Sequence, residues 1–444
     1  MNSRRPKNPV ILNDVQHREG SPREILRPRG AQNDANAVFQ QPARKRLFAV
    51  TETWSEFFLY GFIFFTPLGH AGASVFFGFL ALCFVIRKAL HPDFSFLKQI
   101  EHLWLLLFFI LCALSLVNSG PYLEKGLKAL FFKWGGFMLV FLFVREALAE
   151  AARRRRVGWA VLIAAAIIGL DGLFQFLTGA DLFYGRPIFE LPPPFYQAMT
   201  AVFKNSNDLA SYLVLGTSVA LGFSVEATTR RSGWIFWLLT VLLSTCLLLT
   251  FSRGAWAGFF LGALLMALIS RRWKALLPGL FLLAIPVLLH FSASGQVALD
   301  LSFGTGKQTS GLSGRSELWG MAMQLIRENP FLGKGIGTFM DYSGQRLLTM
   351  AANYAHNCYL QIAAESGIPS LVAFLLFLGT LFVKGIQAFR KNHDPLLLGL
   401  LGGLFAFSIH SAFDTQFYSV AQSFLFWSML GLLAAASQGV SPEK

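Results

Sequence analysis

The sequence predicts an all-α polytopic membrane protein, and three observations carry that expectation. Of the 444 residues, 54% are hydrophobic and only 14% are charged, which is too apolar for an ordinary soluble domain. Uncharged runs of roughly 17 to 23 residues recur along the chain, the length a helix needs to cross about 30 Å of hydrocarbon. The runs lack the short alternating pattern of an outer-membrane barrel, so the spans are helices.

Segments near 54–69, 71–87, 103–117, 128–146, 156–178, 208–227, 233–251, 254–270, 274–292, 368–386, 396–413 and 420–437 give about twelve spans. Ahead of them, residues 1–47 are rich in Arg, Pro, Asn and Gln and predict a disordered tail with no cleavable signal peptide. Every second loop carries a basic cluster: Arg87, Lys88 and Lys98, then Arg153 to Arg156, Arg230 and Arg231, Arg271, Arg272 and Lys274, and Arg390 with Lys391. The positive-inside rule assigns these loops and both termini to the cytoplasm, which requires an even number of spans. Residues 48–292 would then hold spans one to nine, 293–367 a large outer loop containing short helices, 368–437 the last three spans, and 438–444 a cytoplasmic tail. The net charge of +14 is accounted for by these clusters and the tail, so no nucleic-acid partner is expected. Cys83, Cys112, Cys246 and Cys358 show no metal-type spacing and predict no disulfide framework.

Cations on the outer side have no topological use, which singles out Arg186, Arg253, Arg315 and Lys334. Arg253, in TFSRGAW, follows a tight turn between two spans that Gly254 is expected to allow. Arg315 opens GRSELWGMAMQLIREN, whose apolar positions suit a helix against the membrane face. An arginine fork binds phosphate or carboxylate; snorkelling to lipid head groups is the alternative.

In NYAHNCYLQIAAESGIPS a helix beginning at or after His356 places Asn357, Gln361 and Glu365 on one polar stripe. His356 then sits at the positive end of that helix, which favours a ring that accepts a proton and attracts an anionic group. A histidine that only caps the helix is the competing reading. NPFLGKGIGTF carries alternate glycines from Gly333 to Gly337 without the surroundings of a nucleotide loop, and predicts a flexible turn where backbone approaches a ligand. Asn205, Asn207 and Asp208 form an N-cap region, with sugar binding by the amides as the other possibility. Asp171 and Gln175 should face the bundle interior. His410 and Asp414, one turn apart, read either as a proton relay or as an internal hydrogen bond.

Together FKNSNDLASYL, FSRGAWAG, GRSELW, NPFLGKGIGTF and AHNCYLQIAAESGIPSLV resemble, in order, the motifs of the O-antigen ligase and polymerase superfamily of bacterial inner membranes. The resemblance covers about Asn205 to Leu371. It implies a GT-C-like glycosyltransferase without metal or other cofactor, acting on the periplasmic face. The donor would be an undecaprenyl diphosphate-linked O-antigen, and the acceptor the lipid A core in a ligase or a growing glycan in a polymerase. It carries a catalytic role onto His356 and diphosphate binding onto Arg253 and Arg315, with Arg186 and Lys334 as further outer-side cations. Asn357, Glu365, Asn205 and Asn207 would support the site or bind acceptor. One dominant outer loop favours the ligase of lipid A core over the polymerase, and the short stretch expected after the last span favours it over a protein O-oligosaccharyltransferase. A transporter or flippase would instead place its polar groups near the bilayer midplane, and a peptidoglycan glycosyltransferase would need a catalytic acid, which has no clear counterpart here, Asp171 being left open.

Overall fold

The computed structural model describes residues 30–190, 197–290, 312–346 and 354–438. The chain divides into Met1–Phe48 and Ala49–Lys444, and the packing described below lies within the second unit. Residues 30–47, expected as part of a disordered tail, are the leading turns of α1 (Gly30–Leu68); Ala and Gln in AQNDANAVFQQ are ordinary helix formers. The expectations for residues 1–29, for the Gly- and Ser-rich start of the large loop, and for 439–444 lie outside the described residues.

After α1 come α2 (His70–Leu90), α3 (Ile100–Ser115), α4 (Gly120–Ala147), α5 (Ala151–Thr178), α6 (Ser206–Val225), α7 (Arg230–Leu248), α8 (Arg253–Ser270) and α9 (Leu277–His290). The loop helices are α10 (Leu312–Glu328), α11 (Phe339–Arg346) and α12 (Cys358–Ser366), followed by α13 (Ile368–Asn392), α14 (Pro395–His410) and α15 (Val420–Ala436). Among the described residues, eight helices, α2 to α8 and α13, have the length and apolarity to cross a membrane. The remaining expected spans fall on the end of α1 and on shorter apolar helices at Trp273–Ala284, Pro395–His410 and Val420–Ala436. The 179–207 loop adds a two-residue hairpin that the helical pattern did not signal, pairing Phe189 with Ala198 and Glu190 with Gln197.

The interior of the bundle is α6, α14 and α15, whose side chains are buried on nearly every face. Such residues have no lipid-facing side, so their hydrophobicity is continuous rather than striped. The surrounding helices instead leave Leu106, Leu170, Leu238 and Val383 exposed outward. Small residues set how closely α14 approaches its neighbours. A Cβ on Gly399 would meet Val219 Cα of α6 at 2.6 Å, and one on Gly262 of α8 would meet the Gly402 carbonyl oxygen at 2.5 Å. Backbones this close exchange dispersion contacts that larger side chains would prevent. The consequence is positional: the C-terminal end of α14 emerges wedged between the N-terminal ends of α6 and α8.

Over that end lies the small cluster of α10, α11 and α12, packed through Ala322, Leu325, Ile326, Phe339, Ala363 and Ala364. The glycine turn 333–337 docks this cluster onto α3 and α4. Gly333, Gly335 and Gly337 all have positive φ, and a Cβ on them would meet the Glu365 backbone, Ser119 and Ala129 respectively. The amides of Lys334 and Gly335 donate to the carbonyls of Ala364 and Glu365, at 2.9 and 2.8 Å, and the Asn118 side chain donates to the Gly333 carbonyl at 2.8 Å. Gly333 and Gly335 therefore bring backbone against the protein's own residues, where a ligand-facing turn was expected, while Gly337 also borders a cavity.

Candidate functional site at the His356 end of the bundle

The α12 helix begins at Cys358, two residues after His356. Asn357 is its N-cap, accepting from the amides of Tyr359 and Leu360 at 3.1 and 3.0 Å. His356 precedes the cap with φ of +48°, a left-handed conformation that turns its ring away from the helix. Cys358 fixes that turn in space: its amide donates to the Ser411 carbonyl at 2.9 Å and its thiol to the Asp414 carbonyl at 3.1 Å. The start of α12 is thereby fastened to the turn that follows α14.

His356 Nδ1 lies 2.9 Å from Asp414 Oδ1. Asp414 is almost fully buried, which pushes its carboxyl up, but the hydrogen bond from His356 and the neighbouring His410 outweigh burial and hold it below the usual carboxylate range. An ionised Asp414 can only accept, so Nδ1–H donates and Nε2 is left as the acceptor of a neutral ring. His356 is about one-third exposed, so that nitrogen can be reached from outside.

His410, expected to pair with Asp414, makes other bonds. Its Nδ1 is 2.9 Å from Ser211 Oγ of α6 and its Nε2 is 3.3 Å from Ser252 Oγ at the start of α8. Gly254 serves this arrangement, since a Cβ there would stand 3.0 Å from His410 Cδ2. The tight turn itself is made at Phe251, with φ of +54°, and not at the glycine.

Arg253 is exposed at the first residue of α8, and Arg315 on α10 is near enough to act electrostatically on both Arg253 and His410. Two guanidiniums gathered beside one another repel, which is a natural arrangement for a site that takes a dianion or a diphosphate. Asp208 lies near Asp414, whose charge it senses, and its carboxylate receives Ser419 Oγ at 3.2 Å and Asn205 Nδ2 at 2.7 Å.

Other expected site residues serve the scaffold. Asn205 caps α6 through the Asp208 amide at 2.8 Å, and the Asn207 carbonyl accepts from Ser211 at 3.0 Å. Arg186 donates to the Val202 carbonyl and stacks 4.6 Å over the ring of Tyr184, while Lys334 pairs with Glu328 at 3.1 Å. Glu365 is buried and accepts from the amides of Gly337 and Phe339, from Gln361 and from Tyr418. Burial pushes its carboxyl up despite these donors. Asp171 accepts from the Leu182 amide at 2.8 Å and Gln175 accepts from those of Thr200 and Ala201, so both organise the 179–201 loop from inside. What sequence reasoning missed is the partnership of Asp414 with His356. They are 58 residues apart, and the visible signal was only an acidic residue just beyond an apolar run.

Fold and site together define a polytopic helical membrane protein with a histidine, an aspartate and two arginines gathered at one end of its bundle. Residues 238–375 match the family model described as O-antigen ligase, and this supports the O-antigen ligase superfamily, of ligase or polymerase class, as the family of the chain. The matched stretch includes Arg253, Arg315 and His356 but stops before Asp414. No curated protein sequence matches. Among solved structures, a chain from work entitled "Structural coordination of polymerization and crosslinking by a peptidoglycan synthase complex" is 18% identical, with a TM-score of 0.41, covering 75% of this chain and 95% of that one.

Proposed function

We propose that the protein is an O-antigen ligase of the bacterial inner membrane, transferring a glycan from undecaprenyl diphosphate to a sugar hydroxyl of the lipid A core on the periplasmic face. The observation that carries the reading is the 2.9 Å contact of His356 Nδ1 with Asp414, at an end of the bundle where Arg253 and Arg315 sense one another's charge. His356 Nε2 takes the proton of the acceptor hydroxyl as its oxygen attacks the anomeric carbon. The bond from that carbon to the diphosphate oxygen breaks, and its electron pair leaves with the diphosphate. Asp414 stabilises the imidazolium that forms, while Arg253 and Arg315 meet the charge on the leaving group. Displacement in one step inverts the anomeric centre. The leaving group departs already anionic, so the reaction needs cations there and no general acid.

With this orientation the basic loops and both termini are cytoplasmic, and the lipid-linked donor reaches the site laterally at the membrane surface. A polymerase would use the same base and the same arginines, with a second glycan as acceptor. The test incubates purified protein with a lipid diphosphate-linked glycan, chelator, and either rough lipopolysaccharide or free glycan. Transfer to lipopolysaccharide is expected; elongation of glycan without that transfer would replace ligase by polymerase, and dependence on divalent metal would overturn the mechanism.

A further inference from the structure

A cavity of about 280 Å³ opens at the same end of the bundle, beside Glu365 of α12. Its walls include Lys125, Lys128, Lys133, Tyr354, Glu365 and Tyr418. Three lysines on one wall come from a single helix, α4. Six of its residues, Ala129–Trp134, form a π turn, and the widened i→i+5 turn brings Lys128 and Lys133 to the same cavity. Such turns cost hydrogen-bond geometry and are found mostly at functional sites.

The three lysines differ in what holds them. Lys125 bonds Asp341 at 2.7 Å and Lys128 bonds Glu124 at 2.6 Å; in both pairs the lysine is at least half exposed, so the bonds are weak and exchangeable. Lys133 is half-buried, its Nζ 5.1 Å from the centre of the Tyr418 ring and 5.7 Å from that of Tyr354. Among the described residues no carboxylate is hydrogen-bonded to it. Glu365 faces the same cavity, but its two oxygens already accept from Gly337, Phe339, Gln361 and Tyr418. A half-buried ammonium on an aromatic floor, with two more lysines at the rim, has Glu365 as its neighbouring carboxylate, and that carboxylate is shared with four other donors.

We infer that this cavity binds a phosphate ester carried on a lipid head group, at a site separate from Arg253 and Arg315. The position at the membrane end of α4 favours an amphipath, whose phosphate would lie over Lys133 with its chains in the bilayer. The inference goes beyond glycosyl transfer, because phosphate binding at Lys133 does not require His356 to act as a base.

The test measures affinity of the full chain in phosphatidylcholine nanodiscs for bisphosphorylated lipid A, the same lipid dephosphorylated, a polyprenyl monophosphate and inorganic phosphate. A phosphorylated lipid is expected to bind about 10-fold or more tightly than dephosphorylated lipid A. Lys133→Gln should abolish most of that difference, and Lys128→Ala, at an exposed position that folding does not need, should reduce it about 3-fold. His356→Ala should leave it intact, which separates this site from the transfer reaction. Preference for lipid A or for the polyprenyl phosphate identifies the source of the phosphate, and either supports the site. Equal binding of phosphorylated and dephosphorylated lipid, no change with Lys133→Gln and Lys128→Ala, or inorganic phosphate competing as strongly as lipid would overturn it.

Discussion

The two ends of the bundle differ in what their charge is placed beside. At the end with Arg87 and Arg153–Arg156, cations meet carboxylates: Arg156 holds Glu56 through two bonds of 2.6 and 2.9 Å, Lys88 holds Glu146 at 2.9 Å, and Lys384 holds Glu101 at 2.6 Å. At the other end Arg253 and Arg315 sense one another's charge, Lys133 rests on two tyrosine rings, and the buried Asp414 is given to a histidine. Charge paired within the protein fixes helices to one another and is available for nothing else. The second end has such pairs too, in Lys125–Asp341 and Lys334–Glu328, but it adds a histidine–aspartate pair beside like-charged guanidiniums, an arrangement suited to chemistry.

This contrast can be broken by substitution. His356→Ala should lower transfer by about 10²- to 10⁴-fold, measured as product per enzyme in a fixed-time assay on protein that is still folded. Arg253→Ala or Arg315→Ala should each cost about 10²- to 10³-fold, more in the transfer rate than in donor affinity, because the charge they meet develops as the bond breaks. At the paired end, Glu56→Gln should leave transfer within about 2-fold while lowering stability by roughly 1–3 kcal/mol, read by thermal unfolding. Loss of transfer there, with the protein still folded, would erase the distinction between the ends.

A smaller effect sharpens the comparison through pH. Asp414 has a depressed folded value, so the stability it contributes is fully present above its ordinary value of 3.8 and is lost as pH falls through the lower folded one. Thermal midpoints measured from about pH 6 downward should therefore fall more steeply for the wild type than for Asp414→Asn once the carboxylate protonates. Parallel curves would mean that the His356 bond contributes nothing to the fold.

Much of this was legible in the sequence, for identifiable reasons. Helices in lipid must be long and apolar, so their number and approximate limits are written locally, and basic loops mark one end of the bundle. His356, Arg253 and Arg315 could be singled out because each was out of place by those rules. Asp414 could not be assigned, since the 2.9 Å bond depends on Cys358 fastening α12 to the turn after α14. The glycines of GKGIG were visible, but whether backbone or ligand fills the space at a glycine is a tertiary fact. Lys125, Lys128 and Lys133 drew no notice beside an apolar run, and only the π turn and the folded loop show that they share a cavity.

The most direct test of the central claim is the protonation pattern of the His356 ring, by ¹⁵N NMR of histidine-labelled protein in detergent, assigned by the loss of its signals in His356→Ala. The account predicts a proton on Nδ1, donated to Asp414, and a bare Nε2, with this pattern altered in Asp414→Asn. A proton on Nε2 with Nδ1 bare would contradict it, because the nitrogen that must take the acceptor's proton would already be occupied.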